Sequence, residues 1–229
     1  MDKMLIIIIV LIIQCNIFKT LKNTKIITDN EKGEIGNYTY ELWKDYGNET
    51  KMTLLGEGKF SCSWKDVGEV LFHIGKRWDM TKTYREIGNI KVNFEFEFIS
   101  NFTYSYGIYG WFSNRNIELI EFYIMENWEI PFNDLNVEKL GNIFIDGSIY
   151  DIYRKNLNQF DSNTLFFQIM SVRRQKRNKG IVSVNEHFKK WEENGVKLGK
   201  IYEVSFYAGG YKGYGSANIT KNEIIIEKF

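Results

Sequence analysis

Hydrophobic and polar positions alternate with period two over most of the chain from residue 37 onward. In residues 37–43, Tyr38, Tyr40 and Leu42 fall on one side, and Thr39, Glu41 and Trp43 on the other. In residues 92–98, Val92, Phe94, Phe96 and Phe98 interleave with Asn93, Glu95 and Glu97. Successive side chains of a strand point to opposite faces, so this pattern predicts antiparallel strands buried on one side. The same reading predicts strands over 59–64, 106–112, 119–125, 148–153, 166–173, 200–207 and 215–227, many separated by glycine-containing connections. Residues 184–194 depart from it: Phe188 and Trp191 share a helical stripe flanked by Lys189, Lys190, Glu192 and Glu193. Ser183 or Asn185 is placed to cap that helix and Gly195 to end it. Many strands and a single α-helix predict an all-β fold of two packed antiparallel sheets, a sandwich or jelly roll. Residues 21–36 are polar without clear period and read as a linker or a loosely held first strand.

Composition narrows the chemistry. The 229 residues suit one all-β domain, and 44% hydrophobic residues supply its core. A net charge of +1 gives no field that draws nucleic acid or an anionic membrane, and the basic run 173–177 reads as a solvated turn. Aromatic residues reach 16%. Strand propensity accounts for such a content, and so does a surface on which the apolar face of a sugar stacks. Lys3 precedes an apolar run over 4–13 that Gln14, Cys15 and Asn16 break. That run is short for a bilayer and matches a signal-peptide core, with a retained anchor as the alternative. The expectation is a signal peptide over 1–20, a linker over 21–36, and a secreted domain over 37–229 that is monomeric and free of the membrane. Cys62 is then the one mature cysteine, and the sequons at Asn37, Asn48, Asn101 and Asn218 suit a secreted surface. With His73 and His187 as the only histidines, nothing has metal-ligand spacing, so neither a metal nor another cofactor is expected. The glycines of 209–213 lie in a strand pattern, which argues against a phosphate loop.

The most informative stretch is Tyr109-Gly110-Trp111 followed by Ile120-Glu121-Phe122-Tyr123. Glu121 and Tyr123 share a strand face among aromatics. A carboxylate in a central strand is costly to bury and calls for a reason. An edge or solvent-facing glutamate is the plainer reading.

These residues resemble the xylanases of glycoside hydrolase family 11. The resemblance continues in Trp43-Lys44-Asp45, in Gly75-Lys76-Arg77-Trp78, in Tyr150-Asp151-Ile152-Tyr153, in Gln168 with Ser171-Val172-Arg173, in His187-Phe188 with Trp191, and in Tyr211 with Gly215-Ser216-Ala217. It implies a jelly roll with a cleft that holds xylan or a xylo-oligosaccharide, and retaining hydrolysis by two carboxylates roughly 5–5.5 Å apart. Carried over, Glu121 is the nucleophile, Tyr109 and Tyr123 hold it and the sugar, Trp43 stacks on a xylose unit, and Gln168 and Tyr211 contact the chain. The family's acid/base glutamate precedes Gly-Tyr on the last catalytic strand, where this chain reads Ala208-Gly209-Gly210-Tyr211. Gly209 therefore stands at that position. Glu203 shares its parity but lies six residues away, roughly 20 Å along a strand. Glu69, just after Gly68, is the substitute to consider. The resemblance thus implies a xylan-recognising protein with impaired or lost hydrolysis, or else a working endo-1,4-β-xylanase that uses Glu69 or water in the proton role. Two further departures fall on the cleft rim: a shorter thumb without proline over 154–164, with Leu157 or a neighbour at the family's arginine position, and a longer link over 114–118.

Overall fold

The computed structural model describes residues 24–114, 118–131, 136–161 and 164–228. The signal-peptide expectation and the centre of the link at 115–117 lie outside the described residues.

Two sheets carry the fold. The six-stranded sheet runs, in spatial order, β1 (Lys25–Ile27), β4 (Glu49–Gly56), β5 (Lys59–Lys65), β15 (Tyr214–Glu227), β7 (Asn89–Ser100) and β13 (Lys179–Ser183). The nine-stranded sheet runs β10 (Glu138–Ile145), β11 (Ser148–Asp161), β12 (Thr164–Arg173), β9 (Glu118–Glu129), β8 (Thr103–Asn114), β14 (Lys200–Tyr211), β6 (Glu69–Arg77), β3 (Tyr38–Lys44) and β2 (Glu31–Ile35). Alternation delivers one apolar face of each sheet to the shared core. Ile120, Phe122 and Ile124 of β9 are fully buried, as are Val204, Phe206 and Ala208 of β14. Aromatic pairs bridge the layers: Phe94 to Phe206 at 5.4 Å, Phe96 to Tyr106 at 4.8 Å, and Trp64 to Phe72 at 6.3 Å between centroids. Burying each such ring contributes roughly 1.5–3 kcal/mol, so these pairs hold the sheets face to face.

The helix expected near 184–194 is α2 (Val184–Glu193). Phe188 packs on Phe112 and Phe122, and the Trp191 indole N–H donates to Ser171 Oγ at 2.9 Å. The helix thus braces the core side of β8, β9 and β12. Its expected caps do other work. The Ser183 hydroxyl donates to Asp146, and Asn185 Oδ1 accepts from the Ile90 amide.

Three expectations need correction. A second helix, α1 (Tyr84–Ile87), is closed by a capping box between Thr83 and Glu86. One turn is too short to show a period. Residues 25–27 and 31–35, read as a linker or a loosely held first strand, are two edge strands, β1 and β2, paired to β4 and β3. Edge strands face water along much of their length, so their sequence lacks the alternation that marks the others. Finally, β9 and β12 pair in parallel, with Gln168 opposite Glu121. Strands β10, β11 and β12 form an antiparallel meander whose first strand runs in the same direction as β9, so its third strand, β12, lies parallel to β9.

Candidate active site

The face of the nine-stranded sheet that turns away from the core carries the candidate residues. On β9 this face shows Glu121, Tyr123 and Met125; on β14, Glu203, Ser205, Tyr207, Gly209 and Tyr211; on β6, Glu69, Leu71 and His73. Two adjoining hollows open there, about 340 and 420 Å³, sharing Glu69, Leu71, Tyr123 and Gln168. Trp43, Tyr109 and Glu121 line one; Gly209, Tyr211, Lys155 and Leu157 line the other. The cleft therefore brings all eight expected positions together. A hollow of about 510 Å³ on the six-stranded sheet has a mostly short polar lining, with Glu97 as its sole carboxylate.

Glu121 is 8% exposed. The Tyr123 hydroxyl donates to its Oε1 at 3.0 Å, and Gln168 Nε2 donates to its Oε2 at 2.6 Å. The parallel pairing of β9 and β12 places Gln168 directly opposite, so topology supplies this second donor. Burial raises the Glu121 pKa; Gln168, Tyr123 and Tyr109 counter that rise, and the charge of Glu69 adds to it. Burial and Glu121 push the phenols of Tyr109 and Tyr123 well above their ordinary range, so both stay neutral donors. The Trp111 indole donates to Tyr109 at 2.5 Å and its ring stacks on Phe166, which fixes this wall. Trp43 is 41% exposed at the rim, the open ring face that a stacking platform needs.

Gly209 is paired to Leu71 on one side and Ser105 on the other. A Cβ placed there would meet nothing nearer than 3.5 Å, and its backbone does not need glycine. Its neighbour Gly210 faces the core, where a Cβ would lie 2.3 Å from the Trp64 ring. One glycine of this pair is a packing necessity and the other is an opening on the cleft.

Glu203 is already engaged. His73 Nδ1 lies 2.8 Å from its Oε1, Arg77 Nε donates to its Oε2 at 2.8 Å, and Ser205 Oγ donates at 2.5 Å. Arg77 also binds Glu41 at 2.5 Å. Burial works to raise the Glu203 pKa, and His73, Arg77 and Ser205 overcome it to hold the carboxyl at about 2. Glu69 has no such partners for its carboxyl among the described residues. Its side chain is exposed at the cleft, yet desolvation by the surrounding walls raises its pKa; Asp45 adds to the rise and Lys155 opposes it. Asp45 Oδ1 also accepts the Glu69 amide at 2.7 Å, fixing the start of β6.

The sequence reading missed Lys155, Tyr207 and the His73–Arg77–Glu41 cluster. Tyr207 and Lys155 share parity with Gly209 and Leu157 on their strands, so period-two counting was enough to find them. The ion cluster joins β3, β6 and β14, which no local pattern reports. Among the described residues, no three His, Cys, Asp or Glu side chains converge to hold a metal.

Comparison with known proteins places this cleft in context. The profile described as Glycosyl hydrolases family 11 matches residues 35–220. Endo-1,4-beta-xylanase A of Bacillus pumilus is 41% identical over 207 residues, spanning 89% of this chain and 88% of that protein. Endo-1,4-beta-xylanase A of Thermoclostridium stercorarium is 43% identical over 205 residues, 88% of this chain but 31% of that longer protein. A crystal structure of an ENZbleach xylanase mutant superposes with a TM-score of 0.81 at 27% identity, covering 90% of this chain and 88% of that one.

Proposed function

Since this chain belongs to glycosyl hydrolase family 11, we propose that it is a secreted xylan-recognising protein in which Glu121 is the nucleophile and the proton-transfer position at Gly209 is empty, so that hydrolysis of native xylan is impaired. The observation that carries this reading is the pairing of a held, buried Glu121 with an open cradle at Gly209. The xylan chain lies across the aromatic cleft, with Trp43 under one xylose ring.

In the first step, Glu121 attacks the anomeric carbon as the glycosidic C–O bond breaks, forming a glycosyl ester. Gln168 and Tyr123 fix the attacking carboxylate, which limits the wasted orientations of the nucleophile. The departing sugar oxygen needs a proton. Glycine at 209 offers none, and the loss of general acid–base help costs about 10²–10⁴-fold, or about 3–5 kcal/mol of barrier. A xyloside whose leaving group departs as a stable anion escapes this cost.

The test compares xylan with dinitrophenyl xylobioside, for the parent and for Gly209→Glu. The parent is expected to cleave the activated substrate and to lag on xylan, and Gly209→Glu is expected to raise xylan turnover about 10²-fold or more. Azide, small enough for the opening at Gly209, should accelerate turnover of the activated substrate in the parent and yield xylobiosyl azide. Parent turnover of xylan at the rate of its relatives, with no gain in Gly209→Glu, overturns the proposal.

A further inference from the structure

Four carboxylates line the wall of the cleft around Glu121: Glu41, Glu69, Glu121 itself and Glu203. Glu41 and Glu203 are tied to Arg77. Glu121 is held by Gln168 and Tyr123. Glu69 alone has a carboxyl without a hydrogen bond or ion pair among the described residues, and it lines both hollows.

Its position in the sheet is specific. On the β6–β14 ladder, Gly209 stands opposite Leu71, and Tyr211 opposite Glu69. Glu69 is therefore the diagonal neighbour of Gly209 on the same face. Such neighbours lie roughly 7–8 Å apart, within reach of long side chains. Both residues line the same hollow of about 340 Å³, and a Cβ at Gly209 would meet Leu71, Ser105 and Tyr207 only at the ordinary contact distance of 3.5 Å. A glutamate at 209 would fill this space; with glycine there, a glutamate arm from β6 can swing into it.

We propose that Glu69 is a displaced general acid/base, delivering its proton through the opening at Gly209 to the departing sugar oxygen. This rests on Glu121 being the nucleophile and on Gly209 contributing no proton. In the first step, Glu121 bonds to the anomeric carbon, the C–O bond breaks with its electron pair going to oxygen, and the Glu69 proton passes to that oxygen. In the second, Glu69 as carboxylate takes a proton from a water, whose oxygen attacks the anomeric carbon as the ester to Glu121 breaks. The water is consumed and both carboxyls return to their starting states. Delivery from one residue pair away is less direct than from 209 itself, so the residual activity belongs to Glu69 and Gly209→Glu still improves it.

The charges around Glu69 suit the role. Asp45 of the β3–β4 turn and Glu121 across the cleft are acidic neighbours, Tyr211 is its ladder partner, and Lys155 of β11 is the cation acting on it among the described residues. Desolvation by the cleft walls and Asp45 raise the pKa of this exposed carboxyl, and Lys155 opposes them. Two like-charged groups sharing a cleft also favour protonation of one of them.

The experiment combines mechanism-based trapping with Glu69→Gln. A fluorinated, dinitrophenyl-activated xylobioside should label Glu121, read by peptide mass spectrometry, in both the parent and Glu69→Gln. For unactivated xylo-oligosaccharides, Glu69→Gln should lower kcat/KM by about tenfold or more and remove the alkaline limb of the pH profile. kcat/KM for dinitrophenyl xylobioside, which needs no proton, should fall far less. If Glu121 is labelled but Glu69→Gln matches the parent on oligosaccharides with its alkaline limb intact, the role of Glu69 is wrong and the nucleophile stands. The role of Glu69 is equally wrong if the parent labels at Glu121 but does not cleave oligosaccharides at all. Failure to label Glu121 in the parent overturns the nucleophile reading, and the role of Glu69 with it.

Discussion

Trp43 and Glu121 occupy the same cleft under opposite constraints. Trp43 presents a large open ring face and makes little of the core, so its removal should cost binding and not folding. Trp43→Ala is expected to weaken xylan binding about tenfold, or ~1.4 kcal/mol, with the melting temperature unchanged; titration calorimetry and a thermal melt check the two halves. As the proposed nucleophile Glu121 must be ionised to attack, and burial raises its pKa. A base with a raised pKa is protonated over a wider acid range. The acid limb for dinitrophenyl xylobioside should therefore lie above the ordinary carboxylate value, and Gln168→Ala, which removes a donor to the carboxylate, should move it higher still. A limb at or below the ordinary value contradicts this account of Glu121. Parity along the strand gives the face of each residue, and the cleft role of each was implied by the family resemblance. The hydrogen bond from Gln168 was not legible in the sequence, because it depends on two strands 47 residues apart in sequence lying side by side.

Strand β14 shows how neighbouring positions diverge once an element has two faces. Gly210 points to the core, where Trp64 leaves no room for a methyl group, and Gly209 points to the cleft, where there is room. Gly210→Ala is expected to destabilise the fold by roughly 1–3 kcal/mol. Gly209→Ala should be neutral or stabilise by about 0.4–1 kcal/mol, because alanine restricts the unfolded chain. Urea unfolding of the two variants tests the pair, and equal destabilisation would contradict the assigned faces. The strands with a clean alternation, such as β3 and β7, could be read directly from the sequence. Strand β6 could not, because Val70, Phe72, His73, Ile74 and Gly75 are all buried and its polar cleft residues break the period. Strands β10 and β13 lie toward sheet edges and carry too few inward residues to stand out.

Across the molecule, the ion cluster of Glu203, His73, Arg77 and Glu41 ties β14, β6 and β3 together beneath one end of the cleft. The folded Glu203 carboxyl is held at about 2, below its ordinary 4.5. Stability from a depressed acid is fully present above the ordinary value and is lost as pH falls from there through about 2. Acid denaturation should therefore steepen over that window. Glu203→Gln should flatten it while lowering stability at neutral pH by roughly 3–5 kcal/mol, since Arg77 and His73 lose their buried partner. Denaturant melts across the acid range measure both effects, and a pH profile identical to the parent's would show that the cluster does not govern acid stability.

The all-β class, the long central strands and the helix near residue 188 are written in the chain itself. They follow from local periodicity, which neighbouring residues along one strand already contain. Other features exist only once the sheets assemble: β1 and β2 join different sheets, β12 lies parallel to β9 and so hands Gln168 to Glu121, an ion cluster consumes Glu203, and Glu69 comes to sit diagonally across from Gly209. Each of these depends on which strands become neighbours and in what register. Pairing is settled by the packing of two whole sheets against a shared core, and no single strand encodes it.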